Sequence, residues 1–183
     1  GEEVCGLIAP AQEYSAATGG AFDITLAPVS TAWGFTTDSY QVPSQEELDA
    51  LLAHVGMEHI HLTEDTATLD PGTQIDLGAI AKGYASDQLG ALFQRSGVER
   101  GWVSLGGNVL AWGSRPDGDP WEVGIQDPAH PDESSALVCS LFLQDAFAVT
   151  SGSYQRYFEQ DGKRYHHILD PKTGAPAESG LVS

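Results

Sequence analysis

The sequence predicts an α+β fold in which helices pack on a largely antiparallel sheet. Two observations carry this. Apolar residues recur at helical spacing in separate stretches up to Ser96, and from Val98 onward the chain becomes short alternating runs broken by turn residues. Helices first and strands afterwards is the order of an α+β chain, not of repeated βαβ units. No internal repeat or low-complexity linker interrupts the 183 residues, so 1–183 is expected to be a single domain.

Residues 2 to 18 read as a helix that stops at Gly19-Gly20, because glycine accepts the left-handed conformation that ends helices. Phe22 to Leu26 alternates and is expected as a short strand. Ser44 and Glu47 have the spacing of a capping box; Leu48, Leu51, Leu52 and Val55 follow at helical spacing, and Gly56 closes the element. His59 to Leu62 and Thr66 to Leu69 form a hairpin pair. Ala79 to Ser96 is the second long helix, with Ile80, Tyr84, Leu89, Leu92 and Phe93 expected to face inward and Gly97 ending it. The later strands are Trp102 to Leu105, Val109 to Trp112, Trp121 to Ile125, Leu137 to Leu143, Ala146 to Thr150, Tyr154 to Glu159 and Arg164 to Leu169, with a turn at Arg115 to Pro120.

Composition excludes some functions. A hydrophobic content of 41% is enough for a core, but 26 Asp and Glu against 8 Lys and Arg give a net charge of −18. Such a chain repels nucleic acid and anionic membrane surfaces, so no nucleic-acid partner is expected. An anionic ligand would need a metal ion or a local cationic site. No apolar stretch has transmembrane length and no signal peptide is visible; the sequence opens at Gly1 without Met, as if an upstream segment had been removed. Cys5 and Cys139 lack metal-type spacing and do not decide the redox compartment.

Lys82 is the only lysine or arginine before Arg95, and it lies within Ile75-Asp-Leu-Gly-Ala-Ile-Ala-Lys-Gly-Tyr-Ala85. Gly78 and Gly83 let backbone approach a ligand. A helix start offers unpaired N–H donors, and a lysine one turn in adds a point charge suited to phosphate; a surface lysine on an amphipathic helix fits the same residues. Thr18-Gly-Gly-Ala-Phe-Asp-Ile-Thr25 sets a carboxylate beside a flexible turn, able to accept hydrogen bonds from a base or ribose, or forms a plain helix-to-strand turn. Leu105-Gly106-Gly107-Asn108 permits close backbone approach or a hairpin turn. His166-His-Ile-Leu-Asp-Pro-Lys-Thr-Gly174 places an imidazole suited to general-base work near Asp170, which can orient it, bind a metal or cap a β-turn.

Other motifs fail. Gly78 to Gly83 is not a Walker A loop, since the lysine precedes the glycine and no Ser or Thr follows. Lys172-Thr-Gly174 lacks the Ser-x-x-Lys of penicillin-binding enzymes. His59-x-His61 has strand spacing that could hold zinc, but no third ligand stands nearby in sequence, which favours two histidines on a solvated face.

In order and wording these clusters resemble the ApbE family of flavin transferases, the FAD:protein FMN transferases. The matching stretches are Thr18 to Thr25 leading to Trp33-Gly-Phe35, Ile75 to Ala85, Val103-Ser-Leu-Gly-Gly-Asn108, Thr150-Ser-Gly-Ser-Tyr-Gln-Arg-Tyr157 and His166 to Gly174. The resemblance implies an enzyme that binds FAD with Mg²⁺ and cleaves its pyrophosphate. FMN then moves onto a threonine hydroxyl of a partner protein and AMP is released. Implied partners are flavoprotein subunits of respiratory or electron-transfer complexes; some relatives instead hydrolyse FAD to FMN and AMP. Carried over by motif position, Ala21, Phe22, Asp23, Asp76 and Lys82 contact the flavin nucleotide and Ala79 offers its carbonyl to the metal. His167 and Ile168 line the other wall, His167 being the group that activates the acceptor hydroxyl.

Family members are usually longer at the N-terminus and carry a C-terminal Asp-x-x-x-Thr-type motif that holds Mg²⁺, absent before Ser183. The chain is therefore expected to be an internal fragment, incomplete at both ends. The alternative is an FAD-binding or scaffolding relative without transferase chemistry because its metal site is incomplete. Many members are exported lipoproteins, so the parent protein is expected to be extracytoplasmic, membrane-anchored or periplasmic.

Overall fold

A computed structural model of the chain describes residues 1–37 and 39–183. Its helices are α1 (Glu2–Ala17), α2 (Ala27–Ala32), α3 (Gln45–Leu52) and α4 (Gly78–Arg95), and its strands are β1 (Ile60–Leu62), β2 (Ala67–Leu69), β3 (Gly101–Leu105), β4 (Asn108–Trp112), β5 (Trp121–Gln126), β6 (Leu137–Leu143), β7 (Ala146–Val149), β8 (Tyr157–Gln160) and β9 (Lys163–His166). The chain forms two compact units. One comprises Gly1–Ile80 and Gln155–Leu181, the other Ala81–Tyr154 with Val182–Ser183.

The first unit holds two apolar clusters. Along α1 the buried residues Cys5, Ile8, Ala11 and Ser15 recur every three or four positions, which puts them on one stripe. Ile8 and Ala11 pack with Ile24 and Ile60, bordered by Phe22, Leu62, Ile75, Leu77 and Ile80. Each fully buried Ile contributes about 1.5–3 kcal/mol relative to exposure. Gln12 Nε2 adds a 3.2 Å hydrogen bond to the Ile60 carbonyl, tying α1 to β1. The second cluster joins Val29, Trp33, Phe35, Leu48 and Leu169, with Phe158 and Tyr165 against it. Leu48 reaches it because α3 starts where expected: extended Ser44 accepts the Glu47 N–H on its hydroxyl at 3.2 Å.

Two antiparallel pairs complete this unit, β1 with β2 and β8 with β9. The β8–β9 hairpin turns on Asp161-Gly162, both at positive φ (53° and 76°), the combination that matches the twist of paired strands.

In the second unit β3, β4 and β7 form an antiparallel sheet, and β5 and β6 form an antiparallel ribbon with a register shift at Ile125/Gln126. α4 meets β4 through buried Gly90, where an added Cβ would lie 3.8 Å from both Leu110 and Trp112. Phe93 meets Trp112 edge-on at 6.3 Å, and the Trp112 indole donates to the Val98 carbonyl at 2.7 Å.

Every strand pair among the described residues is antiparallel, as the sequence predicts, and α1, α3, α4 and the expected hairpin of β1 with β2 form. Two expectations are corrected, and one element is new. Phe22 to Leu26 is not a strand: Ile24–Leu26 is a 3₁₀ turn, because the Asp23 carboxylate captures the Thr25 N–H. α2, started by Pro28 in its first turn, was not foreseen. Leu92, expected inward, is 45% exposed, while Ser86 and Gly90 form the buried side of α4.

Candidate functional site

The turn after α1 is built from side-chain hydroxyls. Thr18 Oγ1 accepts the Phe22 N–H at 3.1 Å, which folds the chain back across Gly19-Gly20. Ala21 is left exposed, and Phe22 is half-buried with Tyr14 edge-on at 6.2 Å. Asp23 Oδ1 accepts from the Thr25 N–H at 2.7 Å and the Thr25 hydroxyl at 2.5 Å. Fully buried Thr25 in turn accepts the Gly56 N–H at 2.7 Å. Asp23 is thus held by a relay, Gly56 N–H to Thr25 hydroxyl to carboxylate, and one carboxylate oxygen suffices for it.

The Asp76 segment docks on this turn. Its N–H donates to the Ile24 carbonyl at 2.8 Å, and its Oδ1 accepts the Gly78 N–H at 2.7 Å. Asp76 therefore sits directly ahead of α4, where backbone N–H groups and the helix dipole favour negative charge. Two stretches far apart in sequence, Ala21 to Asp23 and Asp76 to Ala79, become neighbours through one backbone bond. Ala79 is exposed in the first turn of α4. Lys82, also exposed, lies one turn further along the helix, and its carbonyl accepts from the Ser86 hydroxyl at 2.9 Å.

The third group gathers on the aromatic cluster. His167 Nδ1 and main-chain N–H both face the Arg156 carbonyl at 3.1 Å. Its ring lies 6.4 Å from Phe35 at 68°. Ile168 is exposed, and its carbonyl accepts the Ala177 N–H. Asp170 does not orient the imidazole: its Oδ1 accepts the Lys172 N–H at 2.8 Å, and its carbonyl accepts from Gly174. The β-turn is real and serves packing. Gly174 has φ 67°, and a Cβ there would press on Leu48 and Val29 at 3.3 and 3.4 Å, while its carbonyl accepts the buried Trp33 indole N–H at 2.7 Å.

Two other sequence candidates have structural duties. Gly106 and Gly107 (φ 58° and 90°) are the two-residue turn between paired Leu105 and Asn108, so that motif is a hairpin turn. His59 Nδ1 and His61 Nε2 both bond the Asp70 carboxylate, at 3.0 and 2.7 Å. Those bonds, first from His59 and then from His61, hold the Asp70 carboxyl below its ordinary value. Among the described residues no group of three or more His, Cys, Asp or Glu has an arrangement that could hold a metal. Ala79 offers a carbonyl alone and Asp76 Oδ1 is already bonded to Gly78, so these residues by themselves do not form a divalent-cation cage.

The ApbE family profile matches residues 1–183. The chain belongs to the ApbE family. Its sequence is 36% identical over 193 residues to the FAD:protein FMN transferase of Escherichia coli K12, covering all of this chain and 53% of that protein. It is 39% identical over 170 residues to the FAD:protein FMN transferase of Vibrio cholerae, covering 91% of this chain and 50% of that protein. Among solved structures, the ApbE protein of Thermotoga maritima superposes with a TM-score of 0.88 at 37% identity, over 97% of this chain and 58% of the other. The flavinyl transferase ApbE of Pseudomonas stutzeri, in apo form, gives 0.84 at 36%, over 97% and 55%. The α+β architecture is thus that of ApbE proteins, and the chain spans about half the length of the curated relatives it matches. Within this ApbE domain the sequence reading missed Thr25 and Arg156. A threonine two residues after Asp23 was the available signal for the first; for the second, only an arginine inside the quoted Thr150 to Tyr157 stretch.

Proposed function

We propose that this chain is the body of a flavin transferase that moves FMN from FAD to a threonine hydroxyl of a partner flavoprotein and releases AMP. The observation that carries the reading is the ApbE match across residues 1–183. The geometry supports it. Ala21 to Asp23 and Asp76 form one continuous rim, with Asp23 preset by Thr25 to accept from the nucleotide and Asp76 at the head of α4. Lys82 supplies a cation for a pyrophosphate group that an otherwise acidic chain would repel. His167 is the base that takes the proton of the acceptor hydroxyl, and Ile168 packs beside the flavin. Phosphoryl transfer asks mainly for positioning and charge neutralisation, which such groups provide.

Mg²⁺ dependence belongs to the same proposal for the whole protein; among the described residues no group of donors completes a metal site, and no step here is derived through the ion. A second reading is an FAD-binding relative without transfer chemistry. An extracytoplasmic setting and acceptor subunits of respiratory or electron-transfer complexes are proposed for the parent protein. No helix of the described residues is long and apolar enough to cross a membrane.

The test is intact-mass analysis of a flavoprotein acceptor domain incubated with the chain, FAD and Mg²⁺. A gain equal to FMN, lost with EDTA, supports the transferase; FAD binding without any gain supports the binder; free FMN and AMP with no gain support hydrolysis. Lys82→Ala is expected to weaken FAD binding and slow transfer, and wild-type affinity in that variant would remove the phosphate role.

A further inference from the structure

We infer that Arg156 is a positioning residue for His167, fixing which imidazole nitrogen carries the proton and how the ring is turned. This rests on reading His167 as the group that activates the acceptor hydroxyl. A carbonyl oxygen only accepts, so His167 Nδ1, 3.1 Å from the Arg156 carbonyl, carries the hydrogen, and the lone pair of the neutral ring lies at Nε2. The same carbonyl accepts the His167 main-chain N–H at 3.1 Å, so one oxygen sets both backbone and ring. Arg156 secures that oxygen with its own side chain: its Nη2 donates to the Phe35 carbonyl, across 121 positions of sequence. Phe35, 1% exposed, presents its ring to His167. Arg156 and Phe35 therefore close a loop around the imidazole in which main chain, guanidinium and ring each restrict one motion. Neighbouring His166 makes a natural contrast. Its Nδ1 is buried without a partner, and a buried lone pair costs less than a buried unpaired N–H, so its proton belongs on Nε2.

The experiment is long-range ¹H–¹⁵N spectroscopy of the full chain labelled in histidine, at about pH 8, where unperturbed imidazole is neutral. His167 is expected to show a protonated Nδ1 and His166 a protonated Nε2. Arg156→Ala keeps the main-chain carbonyl but frees it, so the His167 signals should move toward a tautomer average. In the FMN-transfer assay kcat should fall about 10- to 100-fold with KM for FAD little changed, and Arg156→Lys should restore part of both. A wild-type His167 protonated at Nε2, or a wild-type spectrum and kcat in Arg156→Ala, would overturn the assignment. The wild-type spectrum needs no variant to fold and no turnover. Absent FMN transfer would count against the proposed function, while the spectrum still judges Arg156.

Discussion

In the first unit, the loops bearing Asp23, Asp76 and His167 are pinned by bonds between residues distant in sequence: Thr25 to Gly56, Ile24 to Asp76, Trp33 to Gly174 and Phe35 to Arg156. In the second unit the main ties are strand ladders, and much apolar surface stays outside. Phe142 and Val138, both in β6, are 68% and 63% exposed. The difference teaches where precision is kept. The four long-range ties of the first unit are individual hydrogen bonds at separate places, whereas ladder registers spread the load over many equivalent ones.

The comparison breaks most readily at Trp33. Trp33→Ala removes a buried indole and orphans the Gly174 carbonyl, and should cost about 3–5 kcal/mol in urea unfolding; a loss below about 1 kcal/mol would mean the long-range pins are not what holds the first unit. Thr25→Ala should cost about 1–3 kcal/mol, since the Gly56 N–H and Asp23 both lose their partner, and Thr25→Ser should recover most of it in the same titration. Phe142→Ser, on the open side of β6, should change stability by no more than about 0.5 kcal/mol; a larger thermal-melt shift would show that the ribbon is not the tolerant region. The smallest effect is expected at Asp70 and appears only against pH. Its carboxyl lies below the ordinary 3.8, so the folded state favours the carboxylate, and the gain is complete above that value and vanishes as pH falls through the lower folded one. The stability difference between wild type and Asp70→Asn should still be present at about pH 5 and close as pH falls below about 4.

Legibility in the sequence follows the same division. Elements specified locally are readable: the Ser44 cap, the Gly19-Gly20 stop of α1, and alternating strands around glycine or aspartate turns all carry their instructions within a few residues. Phe22 to Leu26 was misread because alternation alone does not reveal that Asp23 spends its carboxylate on the next turn of backbone. α2 is too short to show a period. Leu92 was assigned inward on hydrophobicity, yet close packing at Gly90 turns the small-residue side of α4 to the sheet. At the site, glycine-rich wording identified Ala21 to Asp23 and Asp76 to Lys82 as segments. Their adjacency, and the hold of Arg156 on Phe35, arise only when distant stretches meet, and no spacing rule encodes that.

The indole bond from Trp33 to Gly174 has a consequence for birth on the ribosome. The two partners are 141 positions apart, and the cluster they close includes Phe158, Tyr165 and Leu169, more than 100 positions after Leu48. While the intervening unit is being translated, Val29, Trp33, Phe35 and Leu48 have no lid. The entropy of closing so long a loop grows only slowly with its length, so thermodynamics does not forbid the delay; time does the damage. The nascent chain carries an uncovered aromatic surface until residues 158–174 emerge, which makes that interval the period when chaperone capture and misassembly compete with folding.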